Sequence, residues 1–309
     1  MISIIIPCYN TLHFLEKNLD NILEFATFCC GEIIIIDDGS EQNIQEYIYG
    51  KKSELIVYYR QSNKGVASAR NKGIFLASND YILFLDSDDY LDFDVLKKYL
   101  HEILKYDFTY WGAQKIYPEG TVKKYPTLFK NTHYDLINSL LKREQQIFMG
   151  GFCISREIAK SILFDVRFKY GEDLKFIFES ILKAKTIFMI DSILLHYVQH
   201  SESAINTFND RRFDSLHAIA AIDFSTQKYN FNDSIQYLLK RDRVVILRTL
   251  STSKSLFEII EYLQNNHDMA RMIEQHFGTS YVAKYKMGLY IVLYKIYVKM
   301  RNIFNAIKG

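Results

Sequence analysis

The sequence predicts an α/β protein with a doubly wound, mostly parallel sheet and a C-terminal helical extension. Two observations support this prediction: strand and helix patterns alternate over residues 1–91, and the pattern after residue 211 is almost wholly helical. With 309 residues, of which 49% are hydrophobic, the chain can bury a large core. We therefore expect an ordered globular protein.

The predicted sheet begins with four short runs of apolar, β-branched or aromatic residues, which is the composition of buried strands. These runs are Ser3–Ile6, Glu32–Ile36, Leu55–Tyr59 and Tyr81–Leu85. Between them, Leu12–Phe25 has apolar residues at helical spacing, and Gly65–Ala77 is rich in alanine. This order of strand and helix predicts parallel pairing of the strands.

The pattern changes after Leu91. It predicts a helix, two strands around a Pro-Glu-Gly turn, a second helix, and two further strands on either side of the helix that follows Gly171. The predicted ranges are Asp92–Tyr106, Phe108–Ile116, Thr121–Tyr125, Tyr134–Lys142, Phe148–Ser155 and Thr186–Tyr197. We expect a catalytic domain over residues 1–210, made of a nucleotide-binding half (1–91) and an acceptor-side half (92–210), and a helical region over residues 211–309.

The overall charge argues against a nucleic-acid partner. The chain has 38 Lys and Arg against 36 Asp and Glu, so its net charge is only +2. Four cysteines without zinc-site spacing predict reduced thiols in a cytosolic protein. No apolar stretch approaches the about 20 residues of a spanning helix, and the start lacks the pattern of a signal peptide. We expect a cytoplasmic protein that is soluble or attached to the inner membrane surface.

Polar residues follow each of the four predicted strands. They form the clusters Pro7–Asn10, Asp37–Ser40, Gln61–Lys64 and Asp86–Asp89. Because ligands of open α/β sheets bind at the carboxyl ends of the strands, we expect these clusters to converge on one crevice.

The fourth cluster places Asp86 and Asp88 on the same side of an extended backbone, with Ser87 between them. A divalent cation would relieve the repulsion of the two carboxylates, and Mg²⁺ and Mn²⁺ prefer oxygen ligands. The alternative is a solvated turn or a helix N-cap. We expect Asp89 to cap the helix that follows.

The second and third clusters have side chains suited to a nucleotide. A carboxylate of Asp37 or Asp38 can accept hydrogen bonds from a base edge or from ribose hydroxyls, although a simple turn is the alternative. After Asn63, the start of a helix and Arg70 can engage phosphate. Each of these signals is weak alone.

Taken in order, the segments SIIIPCYN, IIIIDDGS, SNKGVASARNKG and YILFLDSDDYL resemble the family 2 glycosyltransferases with the GT-A fold. This resemblance implies a Rossmann-like half that binds a nucleotide sugar. It implies that base and ribose are held by Pro7, Tyr9 and Asp37 or Asp38, and that the nucleoside pocket is completed by Asn63 and Arg70. It also implies a DXD motif, binding Mn²⁺ or Mg²⁺ and the diphosphate, formed by Asp86, Ser87 and Asp88.

The resemblance also implies a catalytic base. Asp173 begins an amphipathic helix and resembles the aspartate of the family's ED motif. The alternative is that Glu172 and Asp173 only complement the helix dipole. In the segment LLHYVQHSESAIN, the resemblance implies that His200 contacts metal or phosphate and that Ser201 or Ser203 donates a hydrogen bond. Here the chain departs from the family, which often has an arginine near Tyr197.

The last 30 residues combine aromatic and aliphatic residues with lysines and contain no acids. Such a helix either lies at an anionic membrane surface or packs on the catalytic domain. Self-association through the same helices, giving a homo-oligomer, is a further alternative.

The resemblance implies an inverting, metal-dependent glycosyltransferase of surface-polysaccharide synthesis. The donor would be a nucleotide sugar, with UDP as the nucleotide, and the acceptor a glycan or a lipid-linked oligosaccharide. One alternative is an inactive nucleotide-sugar-binding subunit, against which Asp86, Asp88 and Asp173 argue. Another is a nucleotidyltransferase, against which the lack of a Gly-rich loop near the N-terminus argues.

Overall fold

The computed structural model describes residues 1–128, 132–199, 211, 214–226 and 231–253. Its described strands form one sheet in the order β3-β2-β1-β4-β8-β6-β9-β5, and β7 pairs with β6. The strands are β1 Ile2–Cys8, β2 Glu32–Asp37, β3 Ile56–Arg60, β4 Tyr81–Phe84, β5 Tyr90–Leu91, β6 Phe108–Ile116, β7 Val122–Tyr125, β8 Phe152–Ser155 and β9 Ile187–Val198.

Helices connect these strands and continue after the last of them. They are α1 Leu12–Phe28, α2 Ile44–Gly50, α3 Val66–Leu76, α4 Phe93–Lys98, α5 Leu100–Ile103, α6 His133–Leu141, α7 Arg156–Ile162, α8 Glu172–Lys183, α9 Asp214–Thr226 and α10 Asn232–Ser253.

The first half contains the predicted parallel sheet. Strands β1, β2, β3 and β4 pair in parallel, and every residue of β1 is buried. Helix α3 packs closely on this sheet: a Cβ added at Gly73 would lie 2.3 Å from the Ile5 side chain. Since the parallel strands all run the same way, their polar carboxyl ends meet at one edge.

The second half is mixed. Strand β8 pairs antiparallel with both β4 and β6, whereas β9 runs parallel to β6. Aromatic residues fill the core beside β4 and β8, where Phe164 and Phe176 stack at 3.9 Å and Phe84 meets both rings edge to face. The predicted α/β architecture is confirmed, but the parallel pairing is concentrated in the first half.

Two predicted elements are shorter than expected. The predicted helix over Asp92–Tyr106 is two short helices, α4 and α5, and the N-cap of α4 is Asp92, whose carboxylate accepts from the Val95 amide at 3.0 Å. The predicted strand from Phe148 begins at Phe152 because Gly150 takes a positive φ of 81° in the preceding turn.

The chain divides into two compact units, one containing residues 1–203 and 211–238, the other residues 204–210 and 239–309. In the first unit Phe231 stacks on Tyr134 of α6 at 4.7 Å. No helix within the described residues is both long and apolar enough to span a membrane. The basic aromatic tail, for which we predicted membrane contact or packing, lies outside the described residues.

Candidate active site

Hydrogen bonds tie the loops at the ends of β1 and β2 together. The Asp38 amide donates to the Cys8 carbonyl at 2.8 Å, and the Asn10 amide donates to Ser40 Oγ at 2.9 Å. Asn10 has a positive φ of 56°, a conformation that asparagine tolerates better than most residues. The first two predicted clusters are therefore hydrogen-bonded to each other at the carboxyl edge of the sheet.

Asp37 is fully buried, and protein groups surround its carboxylate. It accepts hydrogen bonds from the Ser40 amide at 2.8 Å, the Tyr58 hydroxyl at 2.7 Å and the Arg60 guanidinium at 3.0 Å. Burial, and then the hydrogen bond to Asp37, raise the pKa of Tyr58 to about 12. Through these contacts, Asp37 stabilises the loop after β2 and connects it to β3.

Asp38 fixes the loop that leads into α3. Its two oxygens accept from the amides of Lys64 and Gly65, each at 2.8 Å, and one also accepts from the Gln61 side chain. The turn needs Gly39, whose φ is 84° and where a Cβ would lie 2.9 Å from the Asn63 amide. Asp38 thus sets the position of the backbone around Asn63.

The remaining residues of the predicted nucleoside pocket differ in exposure. Pro7 is buried within β1, opposite Ile36 of β2. Tyr9 is 50% exposed, and Asn63 is also exposed. Tyr9 and Asn63 are therefore available to a ligand, and Pro7 shapes the strand that carries Tyr9.

Arg70 is buried in α3 and links two acidic segments. Its Nη2 donates to both oxygens of Asp86 at 2.8 and 3.0 Å, and its Nη1 lies 3.6 Å from Glu172 Oε1. The guanidinium also lies 5.4 Å from the centre of the Phe164 ring. Although burial acts to lower the pKa of Arg70, attraction by Asp86 and Glu172 raises it above its ordinary value. Arg70 therefore connects the loop after β4 to the start of α8.

The loop after β4 carries three aspartates. Asp86 and Asp88 are partly exposed, whereas Ser87 and Asp89 are buried. Burial, followed by repulsion from Asp86 and Asp88, raises the pKa of Asp89 well above its ordinary value. Three carboxylates therefore share this loop near the buried guanidinium of Arg70.

The prediction that Asp89 caps the following helix is wrong. Asp89 Oδ1 accepts instead from the Val198 amide of β9 at 3.1 Å. The short strand β5 lies between Asp89 and α4 and pairs antiparallel with β9. Asp89 consequently joins the acidic loop to the end of β9.

Glu172 and Asp173 begin α8 directly after Gly171, which has a φ of 86°. Asp173 is half-buried, and its Oδ1 accepts from the Leu174 amide at 2.7 Å. Burial, followed by the Asp173 charge, raises the pKa of Glu172 to about 8. Arg70 offsets only part of this rise because it is already paired with Asp86. The sequence did not reveal this burial of Glu172, although its place beside Asp173 marked it as part of the motif.

The acidic groups lie near one another in space. Asp89, Asp86, Asp88 and Asp173 all add to the effect of burial in raising the pKa of Tyr197 above its ordinary range. His200, Ser201 and Ser203, which the sequence suggested for metal or phosphate contacts, lie outside the described residues. The carboxylates of the loop after β4 thus lie near that of Asp173, a proximity that the strand-end pattern did not predict.

Among the described residues, no group of three or more His, Cys, Asp and Glu side chains forms a complete cation site. Asp86 and Asp88 provide carboxylate oxygens, which Mg²⁺ and Mn²⁺ prefer. Mg²⁺ is commonly held by one or two carboxylates, with water and substrate phosphates as the other ligands. This donor set therefore fits a cation that is completed by the substrate.

Comparison with known proteins places these loops in a family. The sequence model described as glycosyl transferase family 2 matches residues 3–163. An uncharacterised glycosyltransferase of Haemophilus influenzae is 34% identical over 158 residues, covering 47% of this chain and 63% of that protein. A poly-beta-1,6-N-acetyl-D-glucosamine synthase of Staphylococcus aureus is 40% identical over 108 residues, covering 34% of this chain and 26% of the synthase.

The match to these curated relatives spans less than two thirds of their length. The crystal structure of S. aureus TarS residues 1–349 with UDP-GlcNAc has a TM-score of 0.64 to this chain at 16% identity. The similarity covers 88% of this chain and 81% of the TarS chain. At this identity, the similarity to TarS shows the fold and confirms the predicted GT-A type.

Proposed function

The chain belongs to glycosyl transferase family 2, and we propose that it transfers a sugar from a UDP-sugar to a hydroxyl group with inversion at the anomeric carbon. The acceptor is a glycan or a lipid-linked oligosaccharide of surface-polysaccharide synthesis. The observation that carries this proposal is that Asp86 and Asp173 both lie near the buried Arg70, while Asp86, Asp88 and Asp173 all lie near Tyr197.

Asp173 acts as the general base. An acceptor hydroxyl has a pKa far above neutrality, so it attacks well only while a base takes its proton. As the acceptor oxygen forms a bond to the anomeric carbon, the bond from that carbon to the diphosphate oxygen breaks. The proton goes to Asp173, and the bonding electrons leave with the nucleoside diphosphate. Attack opposite the leaving group inverts the anomeric centre.

Asp86 and Asp88 would hold the divalent cation, with His200 as a further ligand. A bound Mn²⁺ or Mg²⁺ supplies positive charge that stabilises the leaving diphosphate. Arg70 fixes the Asp86 carboxylate through its hydrogen bonds of 2.8 and 3.0 Å, so that this ligand is oriented before the donor binds. Ser203 would donate a hydrogen bond to the diphosphate.

The nucleoside occupies the crevice between the loops after β1, β2 and β3. Exposed Tyr9 and Asn63 contact it directly, and the network around Asp37 and Asp38 keeps the backbone in place. TarS carries UDP-GlcNAc in its crystal structure, and a matched relative is a synthase of poly-N-acetyl-D-glucosamine. The first supports a UDP-sugar as donor, and both support an N-acetylhexosamine as the first sugar to test.

We further propose that residues 280–309 contact the inner membrane surface, where a lipid-linked acceptor would be found. The segment is basic and aromatic and contains no Asp or Glu. Flotation with anionic liposomes, with and without this segment, tests the proposal. Flotation should require the segment, and equal behaviour of the two chains would contradict it.

The test of the proposed function is a donor panel. UDP-, GDP- and dTDP-sugars are incubated with the chain and Mn²⁺ or Mg²⁺, and release of nucleoside diphosphate is measured by chromatography. We expect release from a UDP-sugar and its loss in EDTA, with recovery when excess metal is returned. Release from no donor would contradict the proposed activity, and unchanged release in EDTA would remove the metal from the mechanism.

A further inference from the structure

Three neighbouring strands of the second half place two lysines side by side. In the register of the sheet, Lys115 of β6 lies opposite Lys123 of β7 on one side and opposite Tyr197 of β9 on the other. Because side chains alternate along a strand, Lys124 lies on the other face of β7, opposite Gln114. Lys115, Lys123 and Tyr197 therefore form one row on one face of the sheet.

Like charges directly opposite each other are unfavourable in a sheet. Neither Lys115 nor Lys123 forms an ion pair with a carboxylate in the part of the chain that the structure describes. Burial, and then repulsion by Lys123, lower the pKa of Lys115 below its ordinary value. The two ammonium groups thus form a local excess of positive charge that an anion would relieve.

Aromatic rings surround these lysines. Lys115 Nζ lies 5.2 Å from the centre of the Tyr197 ring, and Lys123 Nζ lies 5.1 Å from that of Tyr125. Phe148 bridges the two tyrosines, meeting Tyr125 edge to face at 5.1 Å and stacking with Tyr197 at 6.0 Å. All three aromatic residues are only partly buried. Flat, partly exposed rings of this kind offer apolar area to the C–H face of a sugar.

This surface adjoins the candidate active site. The Val198 amide, one residue after Tyr197, donates to the Asp89 carboxylate at 3.1 Å. Tyr197 also lies within the electrostatic influence of Asp86, Asp88 and Asp173. A saccharide lying on the rings would therefore extend toward the proposed base.

We propose that Lys115, Lys123, Tyr125, Phe148 and Tyr197, here called the basic aromatic platform, bind a negatively charged saccharide as the acceptor. The rings contact the C–H face of the sugar, and the two ammonium groups bind its phosphate or carboxylate. The role as acceptor site rests on the proposed function, whereas the binding of an anionic saccharide does not. The acceptor class is then a glycan that carries phosphate groups or uronic acids.

The test compares three probes of similar size: glucose, glucose 6-phosphate and glucuronic acid. Binding to the full chain is followed by NMR titration at low and high salt. One or both anionic probes should bind at least about tenfold more tightly than glucose, and high salt should remove the difference. The stronger of the two anionic probes identifies phosphate or carboxylate as the recognised group.

Three matched variants locate the binding. Lys115→Gln and Lys123→Gln should each weaken binding of the preferred anionic probe by about tenfold. Lys124→Gln makes the same charge change on the other face of β7 and should leave binding unchanged. The melting temperature of Lys123→Gln should not fall, because the substitution removes a like-charge contact.

Equal binding of glucose and both anionic probes would overturn the proposal, as would equal effects of Lys123→Gln and Lys124→Gln. A parallel titration with UDP and Mn²⁺ distinguishes the donor: weaker UDP binding in Lys115→Gln, with unchanged binding of the anionic probes, would assign the lysines to the diphosphate instead. The wild-type chain could release no nucleoside diphosphate from any donor and still bind the anionic probes through these lysines. That result would contradict the proposed function but support the platform as a binding site for anionic saccharides.

Discussion

The charged residues of the two halves of the sheet differ in how they are paired. In the parallel half, each carboxylate oxygen of Asp37 and Asp38 accepts at least one hydrogen bond from a neighbouring group. At the border of the mixed half, the three carboxylates of Asp86, Asp88 and Asp89 share one loop and outnumber the guanidinium of Arg70, which is hydrogen-bonded to Asp86. Within the mixed half, Lys115 lies opposite Lys123 on two neighbouring strands.

This difference indicates that the charged residues of the two halves have different roles. Paired charges fix loops, because each hydrogen bond restrains the backbone around it. Grouped charges of one sign raise the free energy of the protein alone and are relieved by a ligand of opposite charge. We infer that the loops of the first half already have their binding conformation before the nucleoside binds. We also infer that the acidic loop is stabilised when it binds a cation, and the basic aromatic platform when it binds an anion.

The largest expected effect comes from the grouped acids. Asp88→Asn should reduce the rate of sugar transfer by about a thousandfold or more, because a bound cation contributes several kcal/mol to stabilisation of the leaving group. The measurement is the transfer rate at saturating metal. Asp94→Asn, at an exposed position of α4, is the matched control. A rate for Asp88→Asn within tenfold of wild type would mean that these acids do not hold the diphosphate.

For the hydrogen-bonded carboxylates of Asp37 and Asp38, the expected effect is on the stability of the fold. Asp37→Asn should lower the free energy of unfolding by about 2–3 kcal/mol, because the charged partner of Tyr58 and Arg60 is lost from a buried position. Urea unfolding measures the change. Asp20→Asn, whose ion pair with Lys51 is exposed, should change stability by less than about 0.5 kcal/mol. Equal losses in the two variants would mean that the buried contacts of Asp37 add no more stability than an exposed ion pair.

A further expected effect concerns the pH dependence of stability at Glu172, whose carboxylate lies 3.6 Å from Arg70. Its folded-state pKa of about 8 exceeds its ordinary value of 4.5, so the folded chain binds more protons than the unfolded chain between these pH values. The carboxyl therefore lowers the free energy of unfolding as pH rises through this window. Glu172→Gln should make that fall shallower, by up to about 1.4 kcal/mol per pH unit.

The measurement is urea unfolding at a series of pH values between 5 and 8, because the raised pKa of Glu172 places its change of charge in this range. Glu179→Gln, on the same helix and paired with Lys175, serves as the control. A Glu172→Gln curve parallel to that of the wild type would contradict the burial of an uncompensated carboxyl at this position.

Local patterns in the sequence were sufficient to predict the parallel half. Buried strands such as β1 and β2 are continuous apolar runs, and the polar residues after them had to meet because parallel strands share one carboxyl edge. The convergence of Asp86 with the loops after β1 and β2 followed from this rule alone.

The other features of the site could not be predicted from local patterns, because they depend on contacts between residues far apart in the chain. Asp89 looked like a helix cap because its partner, the Val198 amide, lies 109 residues away. The pairing of Arg70 with Glu172 likewise depends on how α3 and α8 pack. The platform could have been suspected from the two strands around the Pro-Glu-Gly turn, but only the register places Lys115 opposite Lys123.

The most direct test of the account measures donor binding and sugar transfer separately in Asp173→Asn. Asp173 lies in the second half, so its loss should leave the affinity for the UDP-sugar within about threefold of wild type. Transfer should fall by about a hundredfold to ten-thousandfold, because general base catalysis is lost. Full transfer activity in Asp173→Asn would contradict the assignment of the base, and loss of donor binding would contradict the division between the two halves.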